Sequence, residues 1–320
     1  MNPLRKAALA VASVGVIVAT LSQVPATEVR YEQVSALFSA PKPAHATILF
    51  GGDMMFDRSL RSYALQYGAD HLFTCLDPLF SQADLVVANL EGPITDNPSI
   101  SLGSAPGDGN NYTFTFPTTT ASLLFAHNVR LVSIGNNHIM NFGRDGLAQT
   151  KRALTLAGVG YFGDPDSVES ERVARVSVGD IPFAFINWSD WTSDNTDITG
   201  AQVATEKAAG RVVVVYTHWG EEYVPATDRQ KRLAHTLIEQ GADIVLGSHP
   251  HVVQEHEVYR GKHIYYSLGN LIFDQYWNDA VSHALLVEAV FDAHGVVGLK
   301  EIPVVLQRNR QTCPVSKIQI

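Results

Sequence analysis

Asp243-Ile244-Val245-Leu246-Gly247-Ser248-His249-Pro250-His251 joins an apolar run of strand length to a polar cluster that holds two imidazoles. Side chains two apart in an extended chain point the same way, so His249 and His251 can meet one site. Imidazoles that follow a fully apolar strand are costly to bury unless they are bonded. The same hand-over occurs four more times. Thr47 to Phe50 runs into Gly51-Gly52-Asp53, Asp84 to Ala88 into Asn89-Leu90-Glu91, Arg130 to Ile134 into Gly135-Asn136-Asn137-His138, and Arg211 to Tyr216 into Thr217-His218-Trp219-Gly220. Apolar runs of strand length that alternate with helical periodicity predict an α/β domain from Thr47 onward.

The segments between these runs carry the helices. Asp70 to Gln82, Thr118 to Asn128, Gly143 to Ala157 and Thr227 to Gln240 space their Leu, Phe and Ala residues at three and four, and Gly241 stands where a C-cap glycine belongs. Pro93 to Pro117, rich in Gly, Ser, Asn and Thr, predicts a long loop over the strand ends, and the alternation of Tyr112, Phe114 and Phe116 with threonine favours a strand inside it. After Glu255 shorter alternating segments, Lys262 to Leu268, Ala284 to Phe291 and Val296 to Val305, suit an antiparallel second sheet. Two sheets packed face to face with helices outside follow from this order, in one domain over 47–310 with a tail over 311–320.

With 46% hydrophobic and 17% charged residues in 320, the chain has the make-up of a globular protein. Lys and Arg number 23 against 32 Asp and Glu, a formal charge of -9, so no basic field exists to bind nucleic acid. Cys75 and Cys313 are far apart and build neither a disulfide framework nor a CxxC zinc site; an unpaired state is favoured over pairing. The first 26 residues read as an export signal or an uncleaved membrane anchor: Arg5 and Lys6 precede the apolar stretch Ala7 to Leu21, and Val24-Pro25-Ala26 offers a small-residue cleavage site. Residues 27–46, ending in Pro41, Pro43 and Ala44, read as a linker. The expectation is an exported domain, tethered at the cell membrane or secreted.

Ligands of open α/β sheets bind beyond the carboxyl ends of the strands, so the repeated polar ends converge there. Asp53, Glu91, Asn137, His218, His249 and His251 are oxygen and imidazole donors without a thiolate, a set suited to Mn, Fe, Zn or Mg. Six such groups suffice for one or two divalent ions with a bridging carboxylate. The plainer alternatives are an N-capping Asp53, a core His218 beside Trp219, and a turn at Asn136-Asn137. The remaining eight histidines fall in linker, helices and late strands and read as surface or core residues.

Taken in order, Gly52-Asp53-Met54-Met55, Asn89-Leu90-Glu91, Asn136-Asn137-His138, His218-Trp219-Gly220-Glu221-Glu222-Tyr223, Gly247 to Gln254 and Tyr266-Ser267-Leu268-Gly269-Asn270 resemble the CapA family of poly-γ-glutamate capsule proteins, over roughly residues 47 to 275. That family is similar to the calcineurin-like metallophosphoesterases. The resemblance implies a four-layer αββα sandwich, a two-metal site and phosphoester hydrolysis. By motif, Asp53 resembles the first-strand ligand, Glu91 the bridging carboxylate, Asn137 the Asn of the Asn-His pair, and His138 the residue that protonates the leaving group. His218, His249 and His251 resemble the other imidazole ligands. Asn136, Glu222 and Asn270, inside the same motifs, are expected to contact substrate. Two departures stand out: Met55 occupies the place of a ligand His, and Glu91 replaces an Asp. The expected function is metal-dependent hydrolysis of a phosphoester in poly-γ-glutamate or envelope polymer synthesis or export. Rival expectations are an amide hydrolase, or a non-catalytic partner of a membrane-bound polymer synthase or exporter that binds an anionic polymer.

Overall fold

The computed structural model describes residues 44–109, 111–167, 172–191 and 196–315. The expected signal or anchor at 1–26, and the linker up to residue 43, lie outside the described residues. The first half runs β1 (Ala46–Met54), α1 (Arg58–Tyr67), a 3-10 turn (Ala69–Phe73), α2 (Asp77–Phe80), β2 (Leu85–Leu90), α3 (Thr120–Ala126), β3 (Val129–Ser133), α4 (Gly143–Ala157) and β4 (Gly160–Phe162). There follow β5 (Val173–Val178), β6 (Ile181–Ser189), α5 (Thr196–Ala208), β7 (Val212–His218), α6 (Asp228–Gln240) and β8 (Ile244–Ser248). The last part holds β9 (His256–Tyr259), β10 (Lys262–Tyr265), β11 (Asn270–Ile272), α7 (Asp279–Ser282), β12 (His283–Asp292), β13 (Gly295–Leu306) and β14 (Thr312–Pro314). Among the described residues no helix is long and apolar enough to cross a membrane.

Strands of the first sheet lie in the order β14-β13-β12-β1-β2-β3-β4, with β11 also paired to β1; the second sheet is β5-β6-β7-β8-β10-β9. Alternation along each buried strand then builds the layers. Val212, Val214 and Tyr216 of β7 join Ile48, Phe50, Val87 and Leu131 in a core between the sheets. Val213 and Val215 join Val203, Leu233 and Leu237 of the helices outside the second sheet. Leu49, Val86 and Ala88 join Leu60, Leu124, Leu147 and Leu154 outside the first. Each fully buried side chain of this kind contributes roughly 1.5–3 kcal/mol. Three apolar layers separate four layers of structure, the αββα sandwich. Helix α6 is closed by a Thr227/Gln230 capping box and by Gly241 at φ 118°.

Several local expectations are corrected. The late strands do not form one antiparallel second sheet. Instead β9 and β10 extend the second sheet, while β12 to β14 extend the first beyond β1. A period of two fixes which face of a strand is buried and carries no information on the sheet it joins. Tyr112 to Phe116 form no strand, only the single bridge Ile94↔Phe116, because Phe114 and Phe116 are drawn into the core beneath the loop. The ordered domain also extends past residue 310, since β14 pairs with β13 through Val305↔Cys313. Cys313 is disulfide-bonded to Cys75, 238 residues away, which pins β14 to the segment before α2. The favoured unpaired state of these cysteines was wrong because sequence distance says nothing of the meeting of chain ends across a sheet.

Candidate metal centre

Strand pairing sets the polar ends in two facing rows. A register shift between Phe50 and Asp53 of β1 places Asp53 beside Asn89 of β2 and Asn270 of β11, and Asn89 lies beside Ser133 of β3. In the second sheet Ser189, His218 and Ser248 form the matching row. Gly52 allows the first row to close: a Cβ there would lie 1.8 Å from Gly269 O, the carbonyl that accepts from Asp53 N at 3.0 Å. Under the rows, Tyr216 OH donates to Gly51 O at 2.5 Å and Asn187 Nδ2 to Ser133 Oγ at 3.0 Å, tying sheet to sheet.

Asp53, Glu91, His218, His249 and His251 converge with at most 4% exposure each. Their donor atoms form two sets, Glu91-His218-His249 and Asp53-Glu91-His251, within each of which the atoms lie within 4.8 Å of one another; Glu91 belongs to both. A third set, Glu222-His249-His251, reaches solvent through Glu222. Asn137 Oδ1 is 2.9 Å from His218 Nε2, whose ring is held from behind by Ser248 Oγ at 2.9 Å from Nδ1. His251 Nδ1 lies 2.9 Å from Asn270 Oδ1, and His249 N donates to Asp53 Oδ2 at 3.0 Å. The two histidines share the site for a different reason than extended alternation: they sit in a turn past β8 at φ 95° and 58°. Backbone of that kind is uncommon for non-glycine residues and clusters at functional sites.

Electrostatics sharpen this picture. Burial and the neighbouring Asp53 carboxylate push Glu91 well above the ordinary carboxylate range. Burial opposes ionisation of Asp53 too, yet the hydrogen bond and charge of His251, with His218 and Asn89, hold it well below. Burial drives His218 far down and His249 to about 3, the other imidazoles adding to the effect. Glu91 Oε1 and His249 Nδ1 are buried with no hydrogen-bond partner; the imidazoles nearest to Oε1 stand 3.5 and 4.0 Å away. Two buried carboxylates, the neutral imidazoles of His218 and His249, and partnerless donors suit a divalent cation, which would replace the missing bonds and offset the carboxylate repulsion. The residues present therefore fit the group that the motifs imply.

The structure also sorts the remaining expectations. His138 stands at the edge of the centre, Nε2 4.0 Å from Glu91, its ring against Phe114 at 4.3 Å and Nδ1 3.2 Å from Asn141 Oδ1. Burial lowers it to about 4. Asn136 and Asn270 were expected to contact substrate; both are buried with their amides turned into the protein. Asn136 donates to Asn89 Oδ1 and Leu90 O and accepts from the backbone of His138 and Ile139. Asn270 donates to His251 O, Gln275 Oε1 and Val281 O. They brace the motif turns. Glu222 alone of the three is exposed. Met55 is fully buried in the outer core and offers nothing to the centre.

A family model described as bacterial capsule synthesis protein PGA_cap matches residues 47–275. The chain belongs to this family. A PGA biosynthesis protein CapA from Bacillus subtilis is 32% identical over 254 residues, 74% of this chain and 66% of the relative. A capsule biosynthesis protein CapA from Bacillus anthracis is 30% identical over 281 residues, 82% and 67% of the two chains. The chain thus spans about two thirds of the length of these relatives. Among solved structures, a hypothetical protein from Thermus thermophilus matches with TM-score 0.52 at 20% identity, covering 80% of this chain and 98% of that one. The calcineurin-like phosphoesterase YfkN from Bacillus subtilis matches with TM-score 0.51 at 14% identity, covering 82% and 91%. These likenesses show the fold.

Within the family frame, two residues at the centre had been given no role by the motifs. Asn89 is the hub of the first row, its Nδ2 2.8 Å from Asp53 Oδ1, 3.4 Å from Glu91 Oε2 and 3.3 Å from His218 Nδ1. Its position two before Glu91, on the same face of an extended chain, was the available signal. Arg58 gave none. It is 1% exposed and paired with Asp274 at 2.6 Å, with its guanidinium over Phe114 and Phe273, the rings that pack on His138 and His251.

Proposed function

We propose that this chain is a metal-dependent phosphoester hydrolase that acts outside the cytoplasm in the synthesis or export of poly-γ-glutamate or a related envelope polymer. The observation that carries this reading is the pair of buried donor sets sharing Glu91, with His138 beside them. Asp53, Glu91 and His251 would hold one ion; Glu91, Asn137, His218 and His249 would hold another. Ions held there supply Lewis acidity and make water a competent nucleophile near neutral pH.

The protein's own side chains supply the rest. His138 gives Nδ1 to Asn141 Oδ1, an amide oxygen that also accepts from Phe114 N at 2.7 Å, so the neutral ring donates at Nδ1 and leaves Nε2 to the cavity. Burial keeps the free ring neutral. The negative charge of a bound phosphoester opposes that burial, so the ring takes up a proton at Nε2 and can hand it to the leaving oxygen. Export rests on the N-terminal charge and apolar pattern and on the Cys75–Cys313 bond, a link that persists in oxidising compartments. Either a cleaved signal or a membrane anchor satisfies both.

The test is His138→Gln in metal-loaded protein. Metal content and substrate affinity should hold while turnover falls roughly 10² to 10⁴-fold on a poor leaving group, and far less on an activated aryl ester. Equal losses on both esters, or loss of metal, would make His138 a ligand or a brace. No turnover by metal-filled parent protein on any ester would support a binding role, and turnover of γ-glutamyl amides alone an amide hydrolase.

A further inference from the structure

Four aromatic side chains around the centre are left open to solvent: Trp191 (44% exposed), Tyr223 (42%), Trp277 (51%) and Tyr112 (57%). They come from four separate segments, after β6, after β7, after β11 and from the loop that precedes α3. The Trp191 ring lies 4.2 Å from His249 and 5.4 Å from His218. Tyr223 lies 6.1 Å from His251, and Trp277 meets Tyr223 edge-on at 5.4 Å. Tyr112 lies two residues before Phe114, whose ring packs on His138 at 4.3 Å. Exposed rings on separate segments, gathered at the mouth of one polar centre, have the make-up of a ligand site rather than of scattered surface residues.

Tyr223 is also held in place. Its φ of 64° is a rare conformation for a bulky residue. The strain is contained by a bond from Tyr223 N to Pro250 O at 2.9 Å and by Gln275 Nε2, which donates to the phenol at 3.1 Å. Gln275 in turn accepts from Asn270, the residue that holds His251. The ring is therefore fixed relative to the centre by the network that orients a candidate ligand.

Charges at this mouth select the ligand. Glu222 is exposed next to His249 and His251. Asp190, which accepts from Gly220 N at 3.0 Å, is paired with Arg229, and Arg58 with Asp274. Carboxylates accept hydrogen bonds and do not donate them, so they favour hydroxyl donors and, while the centre is free of metal, repel a chain that bears a carboxylate on every unit. We propose that the mouth binds a neutral polyol ring, a sugar unit whose C–H face lies on the open aromatic rings and whose hydroxyls donate to Glu222. The ring would carry the bond to be cut over the centre. The choice of that bond rests on the phosphoester reading; the sugar contact does not.

Binding is measured on the full chain by tryptophan fluorescence and saturation-transfer NMR. The probes are maltotriose, a trisaccharide of N-acetylglucosamine, and a γ-linked glutamate pentamer. At least one trisaccharide should bind saturably, with or without Mn²⁺. Trp191→Ala or Trp277→Ala should weaken it about tenfold with the circular dichroism unchanged, and in EDTA the pentamer should not compete. Absence of binding by both trisaccharides, undiminished binding in both variants, or competition by the pentamer in EDTA would overturn the proposal. Inorganic phosphate, titrated into Mn²⁺-loaded protein, separates the two readings. Phosphate bound without any sugar sinks only this proposal, and sugar bound without phosphate sinks only the phosphoester reading.

Discussion

Glu91→Gln should make the metal-free protein more stable while abolishing its response to metal. Glu91 is fully buried, beside the Asp53 carboxylate, with one oxygen unpartnered, and its pKa is raised well above 4.5. A raised folded pKa gives stability that is fully present below the unfolded value and is lost as pH rises through the folded one. Above pH 4.5 the parent therefore loses about 1.4 kcal/mol for each unit of upward displacement. A folded unit of about 270 residues has an unfolding entropy near 0.57 kcal/mol/K, so each unit is worth about 2.4 °C in Tm. Glutamine keeps the shape and removes the titration. In EDTA, the Tm of the variant minus that of the parent should be near zero below pH 4 and grow positive toward pH 7.5. The depressed His138 and His249 act oppositely, losing stability as pH falls below 6.5; well above that pH they are neutral folded and unfolded in both proteins, so the difference at pH 7.5 reports Glu91. With Mn²⁺ at about 100 times Kd the parent should gain about 2.7 kcal/mol, or 5 °C, and the variant little. A variant less stable than the parent in EDTA at pH 7.5, and still raised by Mn²⁺, would refute both the buried-carboxylate reasoning and the ligand role.

His249→Ala and His251→Ala should each lower the bound metal per chain, read by elemental analysis, with the domain still folded, because ligands past a strand end contribute little to the core; unchanged stoichiometry in both would count against them. Cys313→Ser should lower Tm by about 4–7 °C in scanning calorimetry, since closing 238 residues restrains the unfolded chain and such links contribute typically about 2–4 kcal/mol. Two titratable thiols in the parent, purified from an oxidising compartment, would contradict the bond. Arg58→Met should destabilise by about 3–5 kcal/mol in urea melts, because Asp274 is left as an uncompensated buried charge. Adding Asp274→Asn should recover part of that loss, and no recovery would mean that Arg58 acts through packing on Phe114 and Phe273 alone.

Much of the fold was legible because buried parallel strands and their polar ends leave a local trace. Thr47 to Phe50, Asp84 to Ala88, Arg130 to Ile134, Arg211 to Tyr216 and Asp243 to Leu246 all lie in or next to strands that build the two sheets, and Gly143 to Ala157 is a helix with the expected bounds. The family could be read from six motifs in order, since each motif is a contiguous turn at a strand end. What the sequence by itself determined is therefore the layer architecture, the family and the types of donor brought to one edge of the sheets.

Other features depend on residues that meet only in space. Pairing partners of the late strands follow from which edge is free once β1 and β8 are placed, so 256–265 and 283–314 went to different sheets. Asn136 and Asn270 are chemically suited to substrate, and only burial shows their amides turned inward. Asp53 stands beside Asn89 through a register shift in β1, and the Cys75–Cys313 bond and the Arg58–Asp274 pair join segments more than 200 residues apart. Periodicity and motif report the surroundings of a residue along the chain. Tertiary packing alone decides which group stands opposite, and that choice sets every pKa and every open ring at the centre.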